Sequence, residues 1–192
     1  MKTDEQVINV LWTGGWDSTY RIIELSRKAV TVQPIYVYGD GRASEYYERV
    51  AMQKILTLLK SKKETHAKIL PVNFVHLNSI PLNEEITEAY NNIQKETFLG
   101  SQHEWLGRLS YIYPGMEIGT EAGSAETSRI IHSIQKYGKL IKDNKSDSYI
   151  LDPTSSTREG MLVLGNFRYP IIDKTELDMK RNIDTPGGGI RM

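Results

Sequence analysis

The run Val7-Ile-Asn-Val-Leu-Trp12, passing directly into Thr13-Gly-Gly-Trp-Asp-Ser-Thr19, constrains the fold more than any other part of the chain. A short apolar run rich in β-branched residues that stops at paired glycines reads as a buried strand entering a turn. Asp17, Ser18 and Thr19 are residues that cap a helix, and beyond them Ile22, Ile23 and Ser26 share one side, which Ala29 extends. The unit then repeats. Val30 to Tyr38 predicts a second strand, closed by Gly39-Asp-Gly41, and Ser44 or Glu45 opens a helix with Tyr47, Ala51, Ile55 and Leu58/Leu59 at helical spacing, up to Lys60-Ser-Lys-Lys63. Val72 to Leu77, after Pro71, predicts a third strand. Pro81 to Glu85 begins a helix with Ile86, Tyr90 and Ile93 on one side. Strands alternating with helices at short spacing make an α/β fold, a parallel sheet covered by helices, with the loops after the strands at one shared edge.

The second half is less regular. The spacing predicts a helix over Gly100 to Tyr113 with Trp105, Leu109 and Ile112 as its apolar side, a short strand at Met116 to Thr120, and a helix over Arg129 to Tyr137. Lys139 to Ser148 is polar and reads as a surface loop or frayed end. Met161 to Leu164 reads as a strand, and Asp173 to Glu176 starts a last short helix that ends before Pro186. The expectation is a single domain over residues 1–180 and a short mobile tail over 181–192.

Composition matters mainly for what it removes. The chain has no cysteine, which excludes disulfides, thiolate nucleophiles and cysteine-held zinc within it. Lys+Arg and Asp+Glu are 24 each, so no chain-wide charge draws it to nucleic acid or an anionic membrane. The polar start Met1 to Gln6 and the lack of any apolar stretch of spanning length lead us to expect a cytoplasmic protein with no membrane partner.

The first loop gathers features that suit phosphate. Gly14 and Gly15 let an anion approach the backbone, the following helix aims free N–H groups at the same point, and Thr13, Ser18 and Thr19 add hydroxyls. Asp17 repels a bare phosphate, so its role is either to cap the helix or to hold Mg²⁺. A Walker loop requires Gly-Lys-Ser/Thr and a dinucleotide fingerprint requires Gly-x-Gly-x-x-Gly; neither is present. A plain strand-to-helix turn with an ordinary Ser/Asp cap is the alternative that local physics leaves open.

The string Thr13-Gly-Gly-Trp-Asp-Ser18 resembles the Ser-Gly-Gly-x-Asp-Ser signature of the PP-loop ATP pyrophosphatases, with Thr in place of the first Ser. Within that group the chain is most similar to the 7-cyano-7-deazaguanine synthases. Tyr38-Gly-Asp-Gly-Arg42 with Glu45 and Ala51, and Phe167-Arg-Tyr-Pro170 with Lys174-Thr-Glu176, resemble that family's later segments. The resemblance covers roughly residues 7–180 and implies a three-layer α/β/α sandwich of the Rossmann-like HUP type. It implies ATP and Mg²⁺ as cofactors, with Trp12, Thr13, Gly14, Gly15, Asp17, Ser18, Thr19, Val37 and Tyr38 at the nucleotide, Asp17 at the metal, and Asp17, Arg42 and Lys174 in catalysis. The implied reaction is AMP transfer to a carbonyl or carboxylate oxygen, with a small carboxylate such as 7-carboxy-7-deazaguanine and ammonia as substrates, and an amide or nitrile as the end. A homodimer is among the assemblies it allows. The family's zinc-binding cysteine cluster has no counterpart, so zinc is not expected, and Glu117-Ile-Gly-Thr120 matches only loosely a segment that faces the family's substrate.

Blander readings stand beside these. Arg42 suits a triphosphate or plain solvent equally, and Val37 suits the core better than a ligand. Gln102, His103 and Trp105 read either as a substrate-facing helix or as a surface helix with Trp105 buried, with Glu104 and Arg108 as an i,i+4 pair. Glu121, Ser124 and Arg129 flank a glycine turn and suit either a substrate or a helix cap. The four histidines make no metal spacing. Two rival functions follow: a nucleotide-binding protein without catalysis, motivated by the missing cysteines, and a tRNA-modifying adenylating enzyme, which the zero net charge disfavours.

Overall fold

The computed structural model describes residues 7–124 and 126–184; Met1 to Gln6 and the tail beyond 184 lie outside the described residues. Strand β1 (Val7–Leu11) leads through the glycine turn into helix α1 (Trp16–Ser26), and β2 (Thr31–Tyr38) returns beside β1 in parallel, Val7 opposite Thr31 and Leu11 opposite Ile35. Helix α2 (Glu45–Ser61) crosses back to two short strands, β3 (Lys68–Ile69) and β4 (Asn73–His76), both parallel to β2 on its other side. The third strand expected at Val72 to Leu77 is thus the second piece of a broken one.

The break has a cause inside β2. The carbonyls of Val30 and Val32 accept from Lys68 and Leu70, while that of Ile35 accepts from Trp12. Even-numbered residues here turn their main-chain groups towards β3 and β4, and Pro34 is among them without an N–H to give. The gap between β3 and β4 falls opposite it, and the Gln33 side-chain amide spans the gap by donating to both Pro34 O and Pro71 O, at 2.9 and 2.8 Å.

On the far side of β1 the sheet continues through single bridges. Leu11 N–H donates to Glu117 O at 2.9 Å, Glu117 N–H donates to Asn9 O at 2.8 Å, and Glu117 in turn bridges Arg168, all in parallel. Where a strand was expected over Met116 to Thr120, pairing is confined to Glu117. Tyr149 bridges Tyr169 in the opposite sense and attaches an antiparallel hairpin of β5 (Leu140–Lys142) and β6 (Tyr149–Leu151).

Side chains that alternate along these strands build two cores. Val10, Trp12, Val32 and Tyr36 pack on one face with α1, with Met52 and Leu59 of α2, and with Met179 and Ile183 of α7 (Glu176–Asp184). Ile35 and Val37 pack on the other with α3 (Glu84–Thr97), α4 (Gln102–Ile112), α5 (Arg129–Tyr137) and α6 (Arg158–Leu164). The result is a three-layer α/β/α sandwich around a parallel sheet, a Rossmann-like architecture of the HUP type. Each fully buried aliphatic side chain contributes about 1.5–3 kcal/mol towards it. Among the described residues no helix is long and apolar enough to cross a membrane.

Several local expectations need correction. Met161 to Leu164 is helix, not strand, because Thr157 caps it, its hydroxyl accepting from Gly160 N–H at 3.0 Å; a four-residue apolar run fits either state. Lys139 to Ser148 holds β5 and its turn. The hairpin lies at the sheet margin with Ile141 exposed, so its polarity is that of a half-solvated antiparallel pair. Tyr47 is 72% exposed, and α2 buries Met52 together with the expected Leu59. Helix α4 is rotated from its expected face: Ile112 is exposed, and His103, Leu106, Leu109 and Ser110 are buried. Helix α7 carries packed chain past residue 180, where the tail was expected to begin.

Candidate functional site

Strand β1 has β2 on one side and the Glu117 segment on the other, reached by connections that leave in opposite directions. Such a switch point opens a crevice beyond the carboxyl ends of the strands. A cleft of about 670 Å³ lies there, walled by the loop at Thr13 to Ser18, the loop at Ile118 to Gly123, and residues of α4 and α5. That volume lies in the range of small-molecule sites.

The first wall is set by close packing. Gly14 has φ +74°, and a Cβ there would lie 3.1 Å from Glu48 O of α2. Gly15 follows as the residue before α1, and no side chain caps that helix. The first-turn amides of α1 are therefore left for something other than the helix itself. Ser18 Oγ accepts from Thr13 N–H and donates to Gly15 O, both at 3.3 Å, and lies 3.4 Å from Thr13 Oγ1. The second wall closes on the same turn at Gly119, where a Cβ would stand 2.8 Å from Ser18 N and 3.0 Å from Asp17 C. Only a hydrogen fits there.

The cleft's charge is one-sided. Asp17 and Glu121 line it, and among the described residues no lysine or arginine does. Burial, then the charges of Glu121 and Glu176, push the Asp17 carboxyl up to about 6. The surroundings therefore favour a proton or a cation at Asp17. Oxygen donors of this kind suit Mg²⁺, which binds through one or two carboxylates together with phosphate and water. No group of three His, Asp or Glu side chains is placed to hold an ion unaided among the described residues.

The residues singled out in the sequence fall into three sets. Thr13, Gly15, Asp17 and Ser18 line the cleft, with Gly14 turned against α2 behind them. Trp12 and Thr19 face the core, where the indole N–H donates to the Thr19 hydroxyl at 3.0 Å; Val37 is buried in the opposite core, and Tyr38 stacks edge-on to His76 under the Arg49 guanidinium. Arg42 and Lys174 do not line the cleft. Arg42 binds Glu48, Asp40 and Val37 O, and Lys174 Nζ lies 3.1 Å from Glu24 Oε1 and 3.3 Å from Pro170 O.

Sequence reasoning missed a buried charge network behind the site. Arg21 of α1 makes a bidentate pair with Glu117, at 2.7 and 2.8 Å, with both side chains 3% exposed. Arg21 also pairs with Glu24, which Lys174 reaches from the other side. Burial would raise the Glu24 carboxyl, but Arg21 and Lys174 together hold it below its ordinary value. Arg21 sits amid apolar α1 residues, and that was the only local signal for it. One further cleft residue, Trp16, came into view only with the structure, its indole N–H buried without a partner; of the α4 residues weighed in the sequence, Gln102 and His103 line the cleft, His103 only 7% exposed.

No protein-family model matches this sequence, and no curated protein matches it.

Proposed function

We propose that this protein binds ATP with Mg²⁺ in the cleft and transfers AMP to an oxygen of a small carbonyl or carboxylate acceptor, releasing pyrophosphate. The observation that carries the reading is the uncapped start of α1, entered through Gly14 and Gly15 and opening into the cleft at the switch point of the sheet. In this reading the β- and γ-phosphates take the α1 amides and the hydroxyls of Thr13 and Ser18. Asp17 and Glu121 would hold Mg²⁺, whose charge offsets phosphate repulsion that no cleft side chain offsets. The resemblance of the loop makes 7-carboxy-7-deazaguanine, with ammonia as second reactant, the first acceptor to assay. The test is calorimetry with ATP, with and without Mg²⁺, followed by pyrophosphate release. No heat from Mg²⁺–ATP on folded protein would remove the reading.

A second reading rests on a different observation. Arg42 and Lys174, the cations expected to act on the phosphates, are both engaged by carboxylates away from the cleft. A nucleotide-binding protein without chemistry fits that arrangement. It requires Mg²⁺–ATP binding with no pyrophosphate released in the presence of any acceptor tried.

A further inference from the structure

Strand β4 is a free edge of the sheet: among the described residues its only strand neighbour is β2. Phe74 lies opposite Tyr36, an even-numbered residue of β2 that turns its main-chain groups towards β4. In a parallel ladder Phe74 and His76 then turn their own N–H and C=O away from the sheet. His76 O accepts from the Ser79 hydroxyl at 2.7 Å. Among the described residues nothing bonds the N–H or C=O of Phe74, which are left to water. Sheet edges are commonly guarded by lysine, proline or an inward charge. Lys68 and Pro71 guard β3 and the gap, but Asn73-Phe-Val-His76 has no such residue, and Phe74 is 47% exposed. Shortness is the one protection β4 has.

The surface beside this edge is apolar, and its charge is graded. Tyr46, 71% exposed, shares one stripe of α2 with Arg49, Gln53, Thr57 and Lys60. Between that stripe and the broken strand runs a groove of about 310 Å³, walled by Met52, Leu56, Ile69 and Leu70, with Arg49 and Lys60 as its charges and no carboxylate. The Arg49 guanidinium lies against the rings of Tyr36, Tyr38 and Phe74 at 5.7, 4.8 and 5.0 Å, which fixes Phe74 before any partner arrives. Asp40, Glu45 and Glu48 stand where α2 begins, balanced in part by Arg42 and Arg49. Lys54, Lys60, Lys63 and Lys68 occupy its second half and the chain beyond, where Glu64 is the one acid. We infer that this face is where two copies of the chain meet about a twofold axis. The axis passes beside Phe74, and each Phe74 N–H donates to the C=O of Phe74 in the other copy, so that β4 pairs antiparallel with itself. The α2 helices then also run antiparallel, and the lysine-rich end of each lies along the acidic start of the other. Because Phe74 packs on Arg49, the same axis brings Tyr46 to the level of Gln53 in the other copy, where the groove takes its ring. Of the strands that could add to this edge, an antiparallel copy is the one that joins these opposite charges by symmetry. The nucleotide reading, right or wrong, does not bear on this face.

The experiment is sedimentation equilibrium of the full chain over about 1 to 200 µM, with a dimer of Kd about 10 µM or below as the expected result. Lys60→Glu/Lys63→Glu is expected to weaken it ~10-fold or more. The absence of cysteine supplies a second readout. An antiparallel hydrogen-bonded pair sets its Cα atoms about 5.5 Å apart, within disulfide reach, so Phe74→Cys meets its own copy across the axis. It is expected to cross-link ~10-fold faster or more than Leu177→Cys, a control position on α7 that is 56% exposed. Phe74→Lys, which guards the edge, is expected to leave a folded monomer. A parent protein monomeric over the whole range overturns the assignment, including the case in which a peptide or another protein takes the edge. A dimer that cross-links no faster through Phe74→Cys than through Leu177→Cys, or that keeps its affinity in Phe74→Lys or Lys60→Glu/Lys63→Glu, overturns it too. If Phe74→Lys does not fold, Tyr46→Ser decides: Kd is expected to rise about tenfold or more, and an unchanged Kd overturns the interface.

Discussion

Asp17 ties stability to chemistry at one carboxyl. Its pKa in the folded protein is raised to about 6 from 3.8. Between those values the folded state keeps a proton that the unfolded chain has lost, so stability falls as pH rises through that window. Asp17→Asn abolishes the effect and is expected to gain about 1 kcal/mol at pH 7.5, after discounting for its partial exposure, and nothing at pH 3.5. Urea unfolding of both proteins at the two pH values checks this, and the same variant is expected to lose Mg²⁺-dependent turnover. Glu117 matters for its partner. Glu117→Ala removes the bidentate partner of buried Arg21 and leaves it Glu24 alone, and is expected to cost up to about 3–5 kcal/mol, most of it recovered in the double variant Arg21→Met/Glu117→Leu. Asp17 was legible from its place in the glycine string, because a loop's chemistry is local. Arg21 and Glu117 were not, since the pairing joins residues 96 apart and neither neighbourhood betrays it.

Secondary structure was legible wherever a helix or strand is long enough to show its period. Helix α3 shows this: Asn83 caps it by accepting from Ile86 N–H, two acids follow, and Ile86, Ala89, Tyr90 and Ile93 are buried in turn. Short pieces failed. The apolar run in α6 is too brief to separate 3.6 from 2, and β5–β6 looked like loop because its polarity reflects a solvated face. Helix α4 failed differently, because His103 and Ser110 occupy core-facing positions that a hydrophobicity pattern gives to Trp105 and Ile112. One strand-level prediction follows from β2. Thr31, 4% exposed, has a buried hydroxyl with no partner. Thr31→Val keeps the β-branch and removes the desolvated oxygen, so it is expected to leave stability unchanged or raise it by about 1 kcal/mol in a urea titration.

At the scale of the molecule, one sheet separates two cores and offers one switch-point cleft with two carboxylates and, among the described residues, no lysine or arginine in its lining. The alternation of strands and helices up to α3 was readable from the sequence, but the cleft's charge depended on which loops meet, and only packing decides that. ATP with Mg²⁺ is expected to raise the melting temperature, by the equivalent of about 2.7 kcal/mol at a hundredfold excess over Kd. ATP in EDTA is expected to give little or no shift in the same thermal scan. The Arg21–Glu117 pair also sets a timetable. A ribosome releases the chain from its N-terminus, so the guanidinium emerges 96 residues ahead of its carboxylate, a wait of about 5–20 s at ordinary elongation rates. Throughout that interval β1 lacks one neighbour and α1 carries a cation that has Glu24 but not yet its bidentate partner. Nascent chains arrested before Glu117 emerges are therefore expected to stay open to protease at β1 and α1, and longer arrests to close.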